Sequence, residues 1–212
     1  MRIGIIGTGE VGRTLAKGLQ RHGHRVTIGT RSPDNLQAIE DFEDVLVTTV
    51  ESIAETSEIL ILAVKGAAAL KALTSARQGA LEGKVIIDAT NPLADVAPEQ
   101  GVLSFFTERN QSLMERLQEE YPRARFVKAF NSVGAASMID PVYKGGRPTM
   151  FICGNDSESK RIVENLLDNV GWDTADMGSA VAARAIEPLS ILWCIPGFQK
   201  NEWTHAFKLL HR

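Results

Sequence analysis

The stretch "RIGIIGTGEVGRTLAKGL", residues 2–19, constrains this chain more than any other. An apolar run of strand length ends in Gly7, and Gly9 and Gly12 complete a G-x-G-x-x-G spacing. Val11, Leu15, Ala16 and Leu19 then recur at the helical period on one face. The spacing alone is weak, but strand, glycine turn and amphipathic helix in immediate succession make it specific. Each glycine has its own steric reason. Gly7 permits the tight turn, Gly9 lets a pyrophosphate approach the backbone, and Gly12 lets the helix lie close to the strand. The unpaired N–H groups of the helix start then face the anion.

Strand-length apolar runs recur at 25–29, 44–49, 58–64, 84–89 and 125–130. The run "EILILAV" is apolar on both faces, as a central parallel strand covered by helices must be. Between the runs lie helical spacings such as Leu113, Leu117 and Tyr121. This alternation predicts the α/β class, a doubly wound Rossmann-type parallel sheet. After residue 146 the pattern repeats briefly: a strand over 149–154, a helix over 157–170 with a Ser cap and Ile162, Leu166 and Val170 on one face, and a short strand over 172–178. The tail, 179–212, reads as helical, broken at Pro196-Gly197, and too apolar to float free. The expected organisation is a dinucleotide-binding domain over 1–146. A small C-terminal strand–helix annex over 147–212 packs on the same sheet and closes the substrate cleft.

The second strand ends near Gly29, where the adenosine ribose of a bound dinucleotide sits. An acidic residue there would accept bonds from both ribose hydroxyls and repel a 2′-phosphate. This chain has Thr30, Arg31 and Ser32 instead. The planar fork of Arg31 suits a bidentate grip on phosphate, with the two hydroxyls as further donors, so the expected cofactor is NADP rather than NAD. Asp34 follows closely, in an "SPD" that also reads as a helix cap. The loops "TNPL" (90–93) and "FNSV" (130–133) follow later strands and should flank the nicotinamide. Asn91 and Asn131 suit either a carboxamide or acceptor ring, or the capping of helices; Pro92 and Phe130 offer apolar walls. Lys65 meets either a phosphate or solvent, and Glu187 pairs at i, i+3 with Arg184.

Composition excludes several classes. With 212 residues and a net charge of −3, there is no basic face for nucleic acid or an anionic membrane. Cys153 and Cys194 stand far apart in apolar contexts, so neither a disulfide nor a metal site is expected. None of the four histidines is paired with an evident nucleophile, and the acidic runs at 40–44 and 119–120 read as solvated faces or caps. No apolar run was found to approach the roughly 20 residues of a membrane span, and the N-terminus reads as a strand rather than a signal peptide. A cytoplasmic chain is the expectation, and the apolar tail favours a homodimer.

The segments "MRIGIIGTGEVGRTLAKGL", "GTRSP", "DATNPL", "VKAFNSVGA" and "ARAIEPLSILW" occur in an order that resembles the NADP-dependent oxidoreductases using the deazaflavin coenzyme F-420, nearly end to end. A similar domain forms the cytoplasmic part of six-transmembrane metalloreductases, which use a flavin. The resemblance implies that Thr8, Gly9, Glu10 and Val11 line the pyrophosphate, that Thr30 and Arg31 bind the 2′-phosphate, and that Val64 and Ala129 lie against the cofactor. It implies hydride transfer by positioning alone, between NADP(H) and a small redox substrate, coenzyme F-420 or else FMN or FAD. Two departures stand out. The family often has a basic residue where this chain reads Pro33, Asp34, Asn35, and some members carry a His-containing segment in place of "AFNSVG". The competing functions are an NADP(H)-sensing protein without turnover and a reductase of a small imine or hydroxy acid.

Overall fold

The computed structural model describes residues 1–33 and 45–212. Among these, eight strands form one sheet: β1 (Arg2–Ile6), β2 (Arg25–Thr30), β3 (Leu46–Thr49), β4 (Ile59–Leu62), β5 (Val85–Asp88), β6 (Arg125–Lys128), β7 (Thr149–Gly154) and β8 (Asp173–Asp176). Their order is β3-β2-β1-β4-β5-β6-β7-β8. Pairing is parallel from β3 through β6; β7 runs antiparallel to β6, and β8 parallel to β7. The chain leaves β1 in one direction and returns beside it as β4. That reversal opens a crevice at the carboxyl ends of the two strands. The doubly wound α/β sheet is therefore present, and the segment 147–212 adds β7 and β8 to it.

Seven helices flank the sheet among the described residues: α1 (Glu10–Arg21), α2 (Val50–Thr56), α3 (Ala69–Leu73), α4 (Leu113–Glu120), α5 (Ser157–Asn169), α6 (Ala183–Ile186) and α7 (Pro188–Lys200). Alternation along β1 sends Ile3 and Ile5 into one core with Leu15 and Leu19 of α1 and Val163 and Leu167 of α5. Ile6 enters the other core, with Ile53 of α2, Leu117 of α4 and Ile186 of α6. All four residues of β4 and of β5 are buried, which is why these strands read as continuous apolar runs.

Three local expectations are corrected. The cap of α5 is Asp156 rather than a serine: its carboxylate accepts from the Ser159 N–H at 2.8 Å, and Ser157 is the first helical residue. The helix of the tail is not broken at Pro196-Gly197. Proline forfeits one backbone bond there, α7 continues to Lys200, and Asn201 ends it in the left-handed conformation, φ 57°. Residues 201–212 carry no regular secondary structure and fold back on α7 and β7. Finally, the helical run Ala180–Lys200, 21 residues, is by length and composition apolar enough to cross a membrane. In this fold it lies against the sheet with Ala183, Ile186, Glu187 and Trp193 buried. The readings of Asp34 as part of a cap and of 40–44 as an acidic face fall outside the described residues.

Both cysteines are free. Burial pushes the Cys153 thiol up to about 12 and also raises that of the less buried Cys194. At about pH 8 a disulfide reagent such as DTNB should titrate Cys194 slowly and Cys153 only after denaturation. Prompt reaction of both thiols in the native protein would contradict this packing.

Candidate functional site

At the carboxyl ends of β1, β2 and β4 lies a cleft of about 280 Å³. Gly7, Thr8 and Gly9 line it from the first turn, Thr30 and Arg31 from the end of β2, and Val64 and Lys65 from the loop after β4. Two of the three motif glycines are demanded by the fold. Gly7 has φ +133°, and a β-carbon there would lie 2.1 Å from the Ala63 carbonyl oxygen. A β-carbon on Gly12 would lie 2.2 Å from the carbonyl oxygen of Gly7. Gly9 differs. Its φ of −73° suits any residue, and nothing lies within 4 Å of the position a β-carbon would take. The fold has no use for a glycine there, whereas a pyrophosphate resting on the backbone does. The residues present thus fit a dinucleotide.

Among the described residues no side chain caps α1 at Gly9. Glu10 is exposed, Val11 packs on the core and Gly12 is buried, so this turn offers its backbone rather than its side chains. Arg13 steadies the turn, donating to the Thr8 carbonyl at 3.3 Å. Thr30 Oγ1 accepts from the Ser32 N–H at 3.5 Å, which leaves the hydroxyl proton to give. Arg31, Ser32 and Lys65 are exposed, and Arg31 and Lys65 bring two cations to one small cleft.

The residues expected at the nicotinamide end are gathered but locked. Asn91 Nδ2 donates to the Asn131 carbonyl at 2.7 Å, and Asn131 Nδ2 donates to Asn91 Oδ1 and to the Ile186 carbonyl, both at 3.1 Å. The pair ties two strand-end loops to each other and to α6. Asn131 Oδ1 is buried with no partner. Pro92 is buried. Phe130 is buried with φ +62°, and its N–H meets Met150 Sδ at 3.1 Å. A bulky left-handed residue costs about 1–2 kcal/mol, and such strain gathers where the surroundings over-determine the backbone. Ala129 is fully enclosed in the core and does not line this cleft.

Sequence reasoning missed the charges beneath these loops. Lys128 is fully buried, with Asp88 Oδ2 at 2.6 Å and Glu187 Oε1 at 2.9 Å. It also donates to the Thr90 carbonyl at 2.9 Å. Burial opposes the charge of Lys128, but the two carboxylates more than compensate and raise its pKa above the ordinary value. The expected pairing of Glu187 with Arg184 is overturned, because Arg184 turns outward to Glu115 at 2.7 Å. One signal was available. Asp88 and Lys128 are an acid and a base at the ends of two successive apolar strands, and they prove to be register partners. For Glu187, 59 residues beyond Lys128, the sequence carries no comparable cue.

Comparison with known proteins agrees with this geometry. Residues 2–92 match the family described as "NADP oxidoreductase coenzyme F420-dependent". A solved structure from Arthrobacter sp. FB24, provisionally assigned as an F420-dependent NADP-reductase, is 33% identical, has a TM-score of 0.91, and is matched over 100% of both chains. The F420-dependent NADP reductase of Methanocaldococcus jannaschii is 26% identical over 208 residues, 91% of this chain and 90% of that protein. Metalloreductase STEAP3 of Rattus norvegicus is 31% identical over 200 residues, 92% of this chain but only 38% of that protein's length.

The contrast among the glycines is testable. Gly9→Val should fold, losing about 1 kcal/mol as a poorer helix cap, yet bind no NADPH by calorimetry. Gly12→Ala should instead destabilise the protein by about 1–3 kcal/mol in denaturant melts, because its methyl group meets backbone. Micromolar NADPH binding by a folded Gly9→Val variant would show that the turn is only structural.

Proposed function

Because the chain belongs to the coenzyme F420-dependent NADP oxidoreductases, we propose that it passes hydride between NADP(H) and a deazaflavin of the coenzyme F-420 type. FMN or FAD is the second choice of acceptor. The observation that carries the cofactor reading is the open backbone at Gly9 in the cleft that also holds Arg31 and Lys65. In this reading the α1 N-terminus takes the pyrophosphate, and Thr30, Arg31 and Ser32 take the 2′-phosphate. Lys65 adds a second cation.

Bound NADPH would supply both electrons as one hydride, and the balancing proton would come from water. The protein's part is to orient and to exclude solvent. Its charged groups at the nicotinamide end support that division. The Lys128 ammonium has three oxygens within 2.9 Å, Asp88 Oδ1 receives both the N–H and the hydroxyl of Thr90, and Glu187 receives two backbone N–H groups. None of these three is free to protonate an alkoxide, as reduction of a ketone would require. A planar acceptor ring needs only an apolar slot, which the loops 90–93 and 130–133 and α7 would form. The same reading puts the protein in the cytoplasm as a homodimer. Leu192 and Phe198 on α7, 54% and 46% exposed, are apolar surface that a second copy would cover.

NADPH should bind at least about tenfold more tightly than NADH, since a charge-assisted bond to phosphate contributes about 1.5–3 kcal/mol. Arg31→Ala should remove most of that preference and leave NADH binding nearly unchanged. Equal affinities for the two cofactors in the unmodified protein would end the NADP assignment. Oxidation of NADPH with a panel of deazaflavin, FMN, FAD and small ketones and imines then identifies the acceptor class. Reduction of ketones or imines alone would defeat the ring-to-ring reading, and no turnover at all would favour a sensor.

A further inference from the structure

We propose that Lys128 is a positioning residue for the nicotinamide end of the cleft, holding the loops 90–93 and 130–133 in place through Asp88 and Glu187. This rests on the dinucleotide reading above. Each acceptor of the ammonium belongs to a segment that builds the site. Asp88 ends β5, and its other oxygen takes the Thr90 N–H at 2.9 Å and the Thr90 hydroxyl at 2.6 Å. Thr90 also gives its carbonyl to Lys128, so the backbone leading into Asn91 is held from both sides. Glu187 follows Ile186, whose carbonyl holds Asn131. Its carboxylate also receives the N–H groups of Leu113 and Met114, both at 3.0 Å, which seats α4 on the same point.

Lys128 therefore gathers two segments that are far apart in the chain, 88–90 and the one holding Glu187, onto one nitrogen. Two residues later, Phe130 takes its left-handed turn, and Asn131 reaches across to Asn91. A brace needed only for stability would not require these charges, because buried ion pairs are often replaceable by apolar residues without loss. Here Lys128 and Asp88 both meet the backbone of Thr90, which leads into the loop 90–93, and Glu187 meets the start of α4. Cys153 is the neighbouring titratable group; held as a thiol, it adds no further charge.

The test separates the two ends of the cofactor. In Lys128→Met, 2′,5′-ADP should bind within about twofold of the unmodified protein by calorimetry, because the adenosine end is remote from the change. The fluorescence enhancement of NADPH on binding, which reports a held nicotinamide ring, should fall by about half or more while far-UV circular dichroism stays native. A lowered melting temperature with the enhancement intact would reduce Lys128 to a stability brace and overturn the proposal. If Lys128→Met does not fold, Glu187→Gln serves, since it leaves the Lys128–Asp88 pair balanced. The same selective loss is expected there, and an unchanged nicotinamide signal overturns the proposal equally. Absence of NADPH binding by the unmodified protein would remove the dinucleotide reading itself, which is a different failure.

Discussion

One ammonium and two carboxylates shut inside the protein set where most of the site stands. Desolvating such ions costs several kcal/mol each, and their mutual attraction offsets this only if the remaining lone pairs and protons also find partners. Most do here: Lys128 gives one hydrogen bond to the Thr90 carbonyl and lies against both carboxylates, Asp88 holds Thr90, and Glu187 holds the first two N–H groups of α4. The cluster still carries one negative charge in excess. The α4 N-terminus answers it, because a helix presents partial positive charge there. Ser112 and Glu115 satisfy further amides of that end in a reciprocal capping box, so the helix start is complete without water. The charge balance of the interior thus dictates where α4 begins and where the C-terminal helices dock.

The crevice is built differently at its two ends. At the adenosine end the backbone is open and the cations are exposed: Gly9 has no neighbour, and Arg31 and Lys65 reach into solvent. Long exposed side chains adapt to a phosphate and lose little by being mobile beforehand. At the end expected to take the nicotinamide, the elements hold one another. Asn91 and Asn131 hold each other, Phe130 is strained into place, and a β-carbon on Gly66 would lie 1.9 Å from the Asn91 carbonyl oxygen. Binding tolerates adaptation, but ring-to-ring transfer depends on a near-attack geometry in which small displacements matter. The rigid end is the one where the chemistry would occur.

What was legible in the sequence was what is local. The glycine turn, the strand runs and Thr30-Arg31 sit in contiguous segments whose physics needs no partner, and the turn, Thr30 and Arg31 line one cleft. Glu187 was misread because its sequence neighbourhood shows Arg184 and hides Lys128. The proximity of Arg184 in sequence counts for less than the desolvation that drives an interior carboxylate to the interior ammonium. Pro196 was misread for a related reason. Its missing N–H does weaken a helix, but the surroundings repay it: Gly197 leaves space for the Trp203 ring, where a β-carbon would lie 2.3 Å from that ring.

The C-terminal helix couples the tail to the site. Trp193 of α7 stacks on His205 at 5.1 Å, and the two residues exchange bonds: the indole N–H to the His205 carbonyl at 2.8 Å, and the imidazole to the Trp193 carbonyl at 2.9 Å. Trp203 leans on the same indole at 5.7 Å. On its other side Trp193 meets Gly134, where a β-carbon would lie 2.8 Å from the ring. Gly134 directly follows the loop that contains Phe130 and Asn131. The tail therefore holds the indole, and the indole presses on the loop that follows β6. Of the helical run apolar enough to span a membrane, Ala183, Ile186 and Trp193 are buried, and its far end meets the tail. The wall of the proposed acceptor slot is thus as rigid as the tail's grip on Trp193.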